Sequence, residues 1–207
     1  MGDFICTYQK KSLPLHSLFL YSITMRVKLH ELILKYAPEY HTIERYPAAD
    51  TICVRGTKDE WGIFGNFYRD VPIEYNGITF DCTERLYQYL LFRSEEAQEQ
   101  LLAAKAGRPI KMHAKHLKKE HPEWLHENFG AIIVPSMKLC LELKYKASPA
   151  FREALERSKG KFIVEDQTTF PNKAADSWGT KLVGDEYVGP NLLGRLLMEL
   201  RDNPPAL

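Results

Sequence analysis

The pair Asn76-Gly77 constrains this chain more than any other two residues in it. It stands between two short alternating runs, Val71-Pro-Ile-Glu-Tyr75 and Ile78-Thr-Phe80. Asn-Gly is the preferred two-residue hairpin loop, because both central residues need positive φ. The predicted pairing sets Tyr75 opposite Ile78 and Ile73 opposite Phe80, on one side. Pro72 has no N–H to donate, which puts the first strand at a sheet edge.

Around this hairpin the apolar spacing is mostly helical. Val27, Leu29, Leu32, Ile33 and Tyr36 form one stripe, and Pro38 ends the helix that carries it. Thr51–Val54 is a β-rich run suited to a core strand. After the hairpin, Asp81 or Thr83 is placed to cap a helix whose first turn holds Glu84. Leu86, Leu90 and Leu91 are its buried face. A basic helix is expected over 110–119. Another carries Met137, Leu139, Cys140, Leu141 and Leu143, with Pro135 near its start. Ser148-Pro149 reads as N-cap and first residue of a helix reaching Ser158, stopped by Gly160. Phe162–Val164 is a short strand. A Gly189-Pro190-Asn191 turn opens a last amphipathic helix, Leu192 to Leu200. The sum is α+β: helix-dominated, around a small antiparallel sheet with a β-hairpin. Residues 1–24 read as a peripheral extension and residues 25–207 as the domain proper.

The chain has 207 residues, 44% of them hydrophobic, enough for one substantial core. Its net charge of +1 supplies no global field that demands nucleic acid or a membrane surface. No apolar run approaches the roughly 20 residues of a membrane span. Cys6, Cys53, Cys82 and Cys140 lack paired spacing and read as free thiols of a reducing, cytoplasmic setting. His113, His116, His121 and His126 have neither cysteines nor an acidic pair to complete a metal site. Lys111, Lys115, Lys118 and Lys119 make the 111–119 stretch strongly basic. They form either a solvated helix face or a surface for nucleic-acid phosphates.

Two islands carry the chemistry. The second runs Phe162-Ile-Val-Glu165, Asp176-Ser-Trp178-Gly179 and Gly189-Pro-Asn191-Leu-Leu-Gly194. A core has no need of Asp, Trp and Gly so closely spaced, whereas a pocket that stacks a flat ring and holds a sugar uses all three. The first runs Trp61 to Asn66-Phe67-Tyr68, then the hairpin, then Thr83-Glu84-Arg85-Leu86-Tyr87-Gln88. Asn66 has a donor and an acceptor that match an amide-like base edge.

Order and spacing of these motifs, from about Thr51 to Arg201, resemble the NADAR or YbiA-like family of N-glycosidases. That family shows Ser-Asn-Phe-Tyr, a hairpin, Ser-Glu-His-Tyr-Phe-Gln, then Leu-Val-Glu, Asp-x-x-Trp-Gly and Gly-x-Asn-x-Leu-Gly. The resemblance implies hydrolysis of the bond between a base and a phosphorylated ribose, without metal or cofactor. It implies catalytic roles for Glu84, Asp176 and Glu165. Breaking a ribosyl C–N bond builds positive charge on the sugar, which a carboxylate can steady while an acid protonates the base. It implies substrate contacts from Asn66, Phe67, Arg85, Lys144, Trp178, Gly179, Gly189 and Asn191.

Each candidate also has a plainer reading. Glu84 serves a helix start, Asp176 an Asx-turn, Glu165 an ion pair with a lysine, Phe67 and Trp178 the core, and Asn191 a helix N-cap. The chain departs from the family where Arg85 replaces His and Leu90-Leu91 replaces Gln-Lys. A lysine suited to a phosphate is thereby missing, and Arg85, Arg93 or Lys144 stands in for it. Two substrates follow from the family: ADP-ribose on guanine in DNA, or a phosphoribosylamino-pyrimidine of riboflavin synthesis. The first would pair the protein with a DNA ADP-ribosyltransferase toxin. The motif changes and the basic stretch favour it. A non-catalytic ADP-ribose binding module is the third reading.

Overall fold

A computed structural model describes residues 28–169 and 175–207. The expected extension 1–24, with Cys6, lies outside the described residues. Seven helices and seven strands are formed among the described residues. The helices are α1 (Leu29–Tyr36), α2 (Thr83–Leu90), α3 (Glu95–Ala103), α4 (Arg108–Glu120), α5 (Phe129–Ala147), α6 (Pro149–Arg157) and α7 (Leu192–Asp202). The strands are β1 (Glu44–Pro47), β2 (Thr51–Val54), β3 (Ile73–Tyr75), β4 (Ile78–Phe80), β5 (Phe162–Glu165), β6 (Lys181–Val183) and β7 (Glu186–Gly189).

The fold is α+β and dominated by helices, but the strands fall into three small sheets rather than one. β3 and β4 pair with Ile73 against Phe80 and Tyr75 against Ile78, around Asn76 and Gly77 at φ 49° and 76°. Both turn residues are left-handed, as the two-residue loop requires. Ile73 and Phe80 are buried. β1, β7 and β6 form an antiparallel sheet in that order. β2 and β5 pair in parallel, Thr51 against Phe162 through Val54 against Glu165. Parallel pairing needs a long crossover, and α2 to α6 lie in it.

The core joins the buried faces of α1, α2, α5 and α7 to β2 and β5. Gly194 on α7 is what lets helix and strand approach: a Cβ there would lie 2.0 Å from the Ile163 carbonyl oxygen.

Three local expectations are corrected. The N-cap position of α2 is Cys82, and no side chain caps it. Asp81 instead takes Arg85 and Arg69, so it has no oxygen turned to the helix N–H groups. Pro135 sits seven residues into α5 rather than at its start, because the helix begins at Phe129. There it removes one ladder hydrogen bond. β5 runs one residue further than predicted, to Glu165. The Ser148-Pro149 start does form, with the Ser148 hydroxyl accepting from the Phe151 N–H.

Candidate active site

α2 begins where the loop of Asn66 meets it. The Glu84 N–H donates to the Asn66 carbonyl at 2.8 Å, so that carbonyl does the work of a cap. Glu84 is 5% exposed and Gln88, one turn on, is equally buried. Their side chains meet: Gln88 Nε2 donates to Glu84 Oε1 at 2.9 Å. Lys118 from α4 then donates to Gln88 Oε1 at 2.7 Å. Asn66 Oδ1 is buried and, among the described residues, has no hydrogen-bond partner. A buried acceptor left open is unusual in a native protein, which makes it a candidate ligand contact.

Glu165 ends β5 and enters the same region. Its carboxyl is pushed up to about 7, by burial first, then by the negative charges of Asp176 and Glu84, with Lys111 opposing. Both other carboxylates expected from the sequence, Asp176 and Glu84, are therefore within electrostatic reach of Glu165. The expected lysine ion pair of Glu165 survives only as the charge of Lys111. Lys118 answers from the other side. Burial pushes its ammonium down to about 8, against the attraction of Glu84 and with the repulsion of Lys111.

The Asp176 loop is built as its plainer reading predicts. Asp176 Oδ1 accepts from the Trp178 N–H at 2.9 Å, an Asx-turn. Gln167 braces it from both sides: Nε2 donates to Asp176 Oδ1 at 2.6 Å, and Oε1 accepts from the Asp176 N–H at 2.9 Å. Asp176 remains exposed. Trp178 is half-buried, packed on the core and edge-on to Tyr87 at 5.6 Å between ring centroids. Phe67 is likewise half-buried. Part of the longer segment before Asp176, residues 170–174, lies outside the described residues.

Other sequence candidates hold the frame. A Cβ on Gly179 would lie 2.6 Å from the Glu165 carbonyl oxygen, and one on Gly189 2.5 Å from that of Gly179. These glycines let three backbone segments pack without intervening side chains. Asn191 occupies the N-cap position of α7 but makes no side-chain cap bond, because its backbone is left-handed at φ 54° and its side chain points to β5. There Oδ1 accepts from the Glu165 N–H at 3.2 Å and Nδ2 donates to the Ile163 carbonyl at 2.9 Å. The amide thus ties α7 to the strand that carries Glu165.

Each of the three expected substitutes for the missing lysine is engaged within the protein. The Arg85 guanidinium bonds Asp81 and the carbonyls of Leu101, Leu102 and Ala104, which close the C-terminal end of α3. Lys144 is buried, and its ammonium donates to the Ile63 and Gly65 carbonyls at 2.5 and 3.3 Å. Burial pushes it down to about 7, with Asp70 opposing. Arg93 is exposed and bonds Glu127. Lys144 therefore anchors the loop just ahead of Asn66.

The basic stretch divides. Lys118 is half-buried, and Lys111, though exposed, lies seven residues away on the same side of α4; both act on the carboxylates, while Lys115 and Lys119 are exposed and do not. The reading of the stretch as one solvated or DNA-facing surface is corrected accordingly. Gln88, Gln167 and Lys118 were the site residues not foreseen. The Glu84–Gln88 spacing of one helical turn was the available signal for the first. A groove of about 820 Å³ on the opposite flank of α4, lined by Met112, His113 and His116 among others, includes none of the three carboxylates. No group of three or more His, Cys, Asp or Glu side chains suited to a metal exists among the described residues. No described helix is long and apolar enough to cross a membrane.

Comparison with known proteins agrees with this architecture. No curated protein matches the chain. The NMR structure of the E. coli protein YbiA superposes with a TM-score of 0.57 at 28% identity, covering 73% of this chain and 83% of that one. The family model for the NADAR domain matches residues 54–203, which span both motif islands and every carboxylate of the site. The chain belongs to the NADAR domain family.

Proposed function

We propose that this protein hydrolyses an N-glycosidic bond between a base and a phosphorylated ribose. The observation that carries the reading is the convergence of Glu84, Glu165 and Asp176, with the Glu165 carboxyl lifted to about 7 by burial and by the other two. Carboxyl groups whose environments separate their behaviour are the usual basis for dividing acid and base roles. In this reading Glu165 keeps its proton near neutral pH and gives it to the departing base nitrogen as the C1′–N bond breaks. Glu84, held by Gln88, faces the positive charge that grows on the ribosyl carbon. Water adds to C1′, and Asp176 takes the proton it loses. Atoms balance: the products are the free base and the ribose with a C1′ hydroxyl. The open Asn66 acceptor suits an N–H of the base or a ribose hydroxyl.

The finer reading is removal of ADP-ribose from guanine in DNA. Its support is the departure of Arg85 and Leu90-Leu91 from the family motif, together with the outward Lys115 and Lys119. A DNA ADP-ribosyltransferase would be the functional counterpart.

The test is product release from an ADP-ribosylated oligonucleotide and from a phosphoribosylamino-pyrimidine. Release of ADP-ribose from the first alone is expected. Release from the second alone reassigns the substrate to small phosphoribosides. Binding of ADP-ribose with release from neither makes the protein a binding module and ends the hydrolase reading.

A further inference from the structure

We infer that Lys118 is a positioning residue of the active site: through Gln88 it fixes which side of the amide faces Glu84. This rests on the reading of Glu84 as a catalytic group. The argument is one of donors and acceptors. An ammonium can only donate. Lys118 Nζ lies 2.7 Å from Gln88 Oε1, so the amide oxygen must face α4. The amide nitrogen is then turned to Glu84, 2.9 Å from its Oε1. Glu84 Oε1 has to accept, and Oε2 is left for substrate. Without the ammonium the amide could turn over and present its oxygen to Glu84, and two acceptors would face each other in a buried place.

The surroundings of Lys118 suit this task. The ammonium lies 5.9 Å from the ring centroid of Phe92 and 5.7 Å from that of Phe129, which hold it away from bulk water. The charged groups acting on it are Glu84 from α2 and Lys111 from its own helix. Phe92 follows α2, Phe129 opens α5, and Gln88 belongs to α2. A surface lysine would have none of these neighbours. Lys118 meets the active site at second hand, across the amide of a residue already in the motif.

The alkaline range gives a signature. Above about 8 the ammonium becomes an amine, which can accept as well as donate, and the orientation of Gln88 is no longer enforced. Lys118→Arg restores a permanently charged donor. Three proteins are compared for turnover across pH 6 to 10: wild type, Lys118→Met and Lys118→Arg. Expected are a wild-type kcat that falls above about pH 7 as Glu165 loses its proton and falls further above about pH 8 as Lys118 does, and a loss of roughly tenfold or more in Lys118→Met at pH 7, with KM little changed. Lys118→Arg should recover much of the rate and lack the second fall, keeping only the one that belongs to Glu165. Gln88→Leu should cost about as much as Lys118→Met, and the double variant no more than either. Fully additive losses would mean that Lys118 acts on substrate independently and would overturn the relay.

A second measurement needs no activity. NMR titration of the Lys118 ammonium in the intact protein should give a midpoint near 8, moving lower in both Glu84→Gln and Gln88→Leu. If the relay appears in the titration but no N-glycoside is cleaved, the proposed function fails, while the Lys118–Gln88–Glu84 arrangement itself stands without a role in that reaction. A midpoint at the ordinary lysine value of 10.5 that ignores both changes overturns it, whatever the enzyme does.

Discussion

The two motif islands of this chain use similar residue types for different ends. In the first, residues 66–88, the family positions turn side chains toward the site: the open acceptor of Asn66, Glu84 and the Gln88 that holds it. In the second, residues 165–194, most of them build backbone. Gly179, Gly189 and Gly194 let chain segments touch, and Asn191 bonds the strand rather than a ligand. Only Glu165, Asp176 and Trp178 remain as candidates for contact there. A motif residue can thus be needed for chemistry or for the approach of two main chains, and spacing alone does not separate the cases.

The largest effect that can break this contrast is on stability. Asn191→Ala strands the Glu165 N–H and the Ile163 carbonyl and forces alanine into a left-handed backbone. It should destabilise the protein by about 4 kcal/mol, read as a shift in the urea midpoint. Glu84→Gln, in the other island, should leave that midpoint within about 1 kcal/mol. Equal loss in both would erase the distinction.

Stability against pH is the next measure. The Glu165 carboxyl titrates ordinarily at 4.5 and here at about 7, so the folded protein holds this proton more tightly than the unfolded chain. The contribution is complete below pH 4.5 and declines as the pH rises through about 7, by about 3 kcal/mol in all. Urea midpoints taken between those limits should fall in the wild type and stay flatter in Glu165→Gln. Parallel curves for the two proteins would show that Glu165 is not the buried acid described.

Turnover separates the islands most directly. Glu84→Gln keeps shape and hydrogen bonding but removes charge, and single-turnover base release should drop by about 10², equivalent to roughly 2.7 kcal/mol of barrier. A rate within threefold of wild type would take Glu84 out of the mechanism.

Legibility followed the range of the interaction. The hairpin was readable because its turn chemistry is local and both residues must be left-handed. The Ser148-Pro149 helix start was readable for the same reason. The parallel pairing of β2 with β5 was not, since two four-residue runs more than a hundred positions apart carry no sign of which strand they will meet. The carboxylates were legible through the motif, but their mutual charge effects arise only where β5 and α2 come together. Lysine 118 shows the limit most clearly. Within a basic run it looks like its neighbours, and only the rotation of α4 against α2 turns it inward. Arg85 shows the opposite case: a charged side chain beside a catalytic candidate suggests substrate, yet in the fold three of its bonds close the end of a helix and two hold Asp81.

That division of the basic run sharpens the last and smallest prediction, which concerns substrate. Replacing all four lysines together would mix two effects, because Lys111 and Lys118 act on the carboxylates. Lys115 and Lys119 are the pair to change. Both are exposed, and Lys119 pairs with its helix neighbour Glu120, at 2.8 Å. If they face DNA phosphates, binding of an ADP-ribosylated oligonucleotide should weaken with salt, because each contact releases counterions. Lys115→Gln with Lys119→Gln should reduce the log–log slope by about 2 at most. Cleavage of a free ADP-ribosyl nucleoside should be unchanged by the pair, since it has no flanking phosphates. Identical slopes in both proteins would remove this helix face from DNA recognition and leave the preference for DNA to the motif changes alone. The hydrolase reading would be untouched, because it depends on the three carboxylates and not on these two lysines.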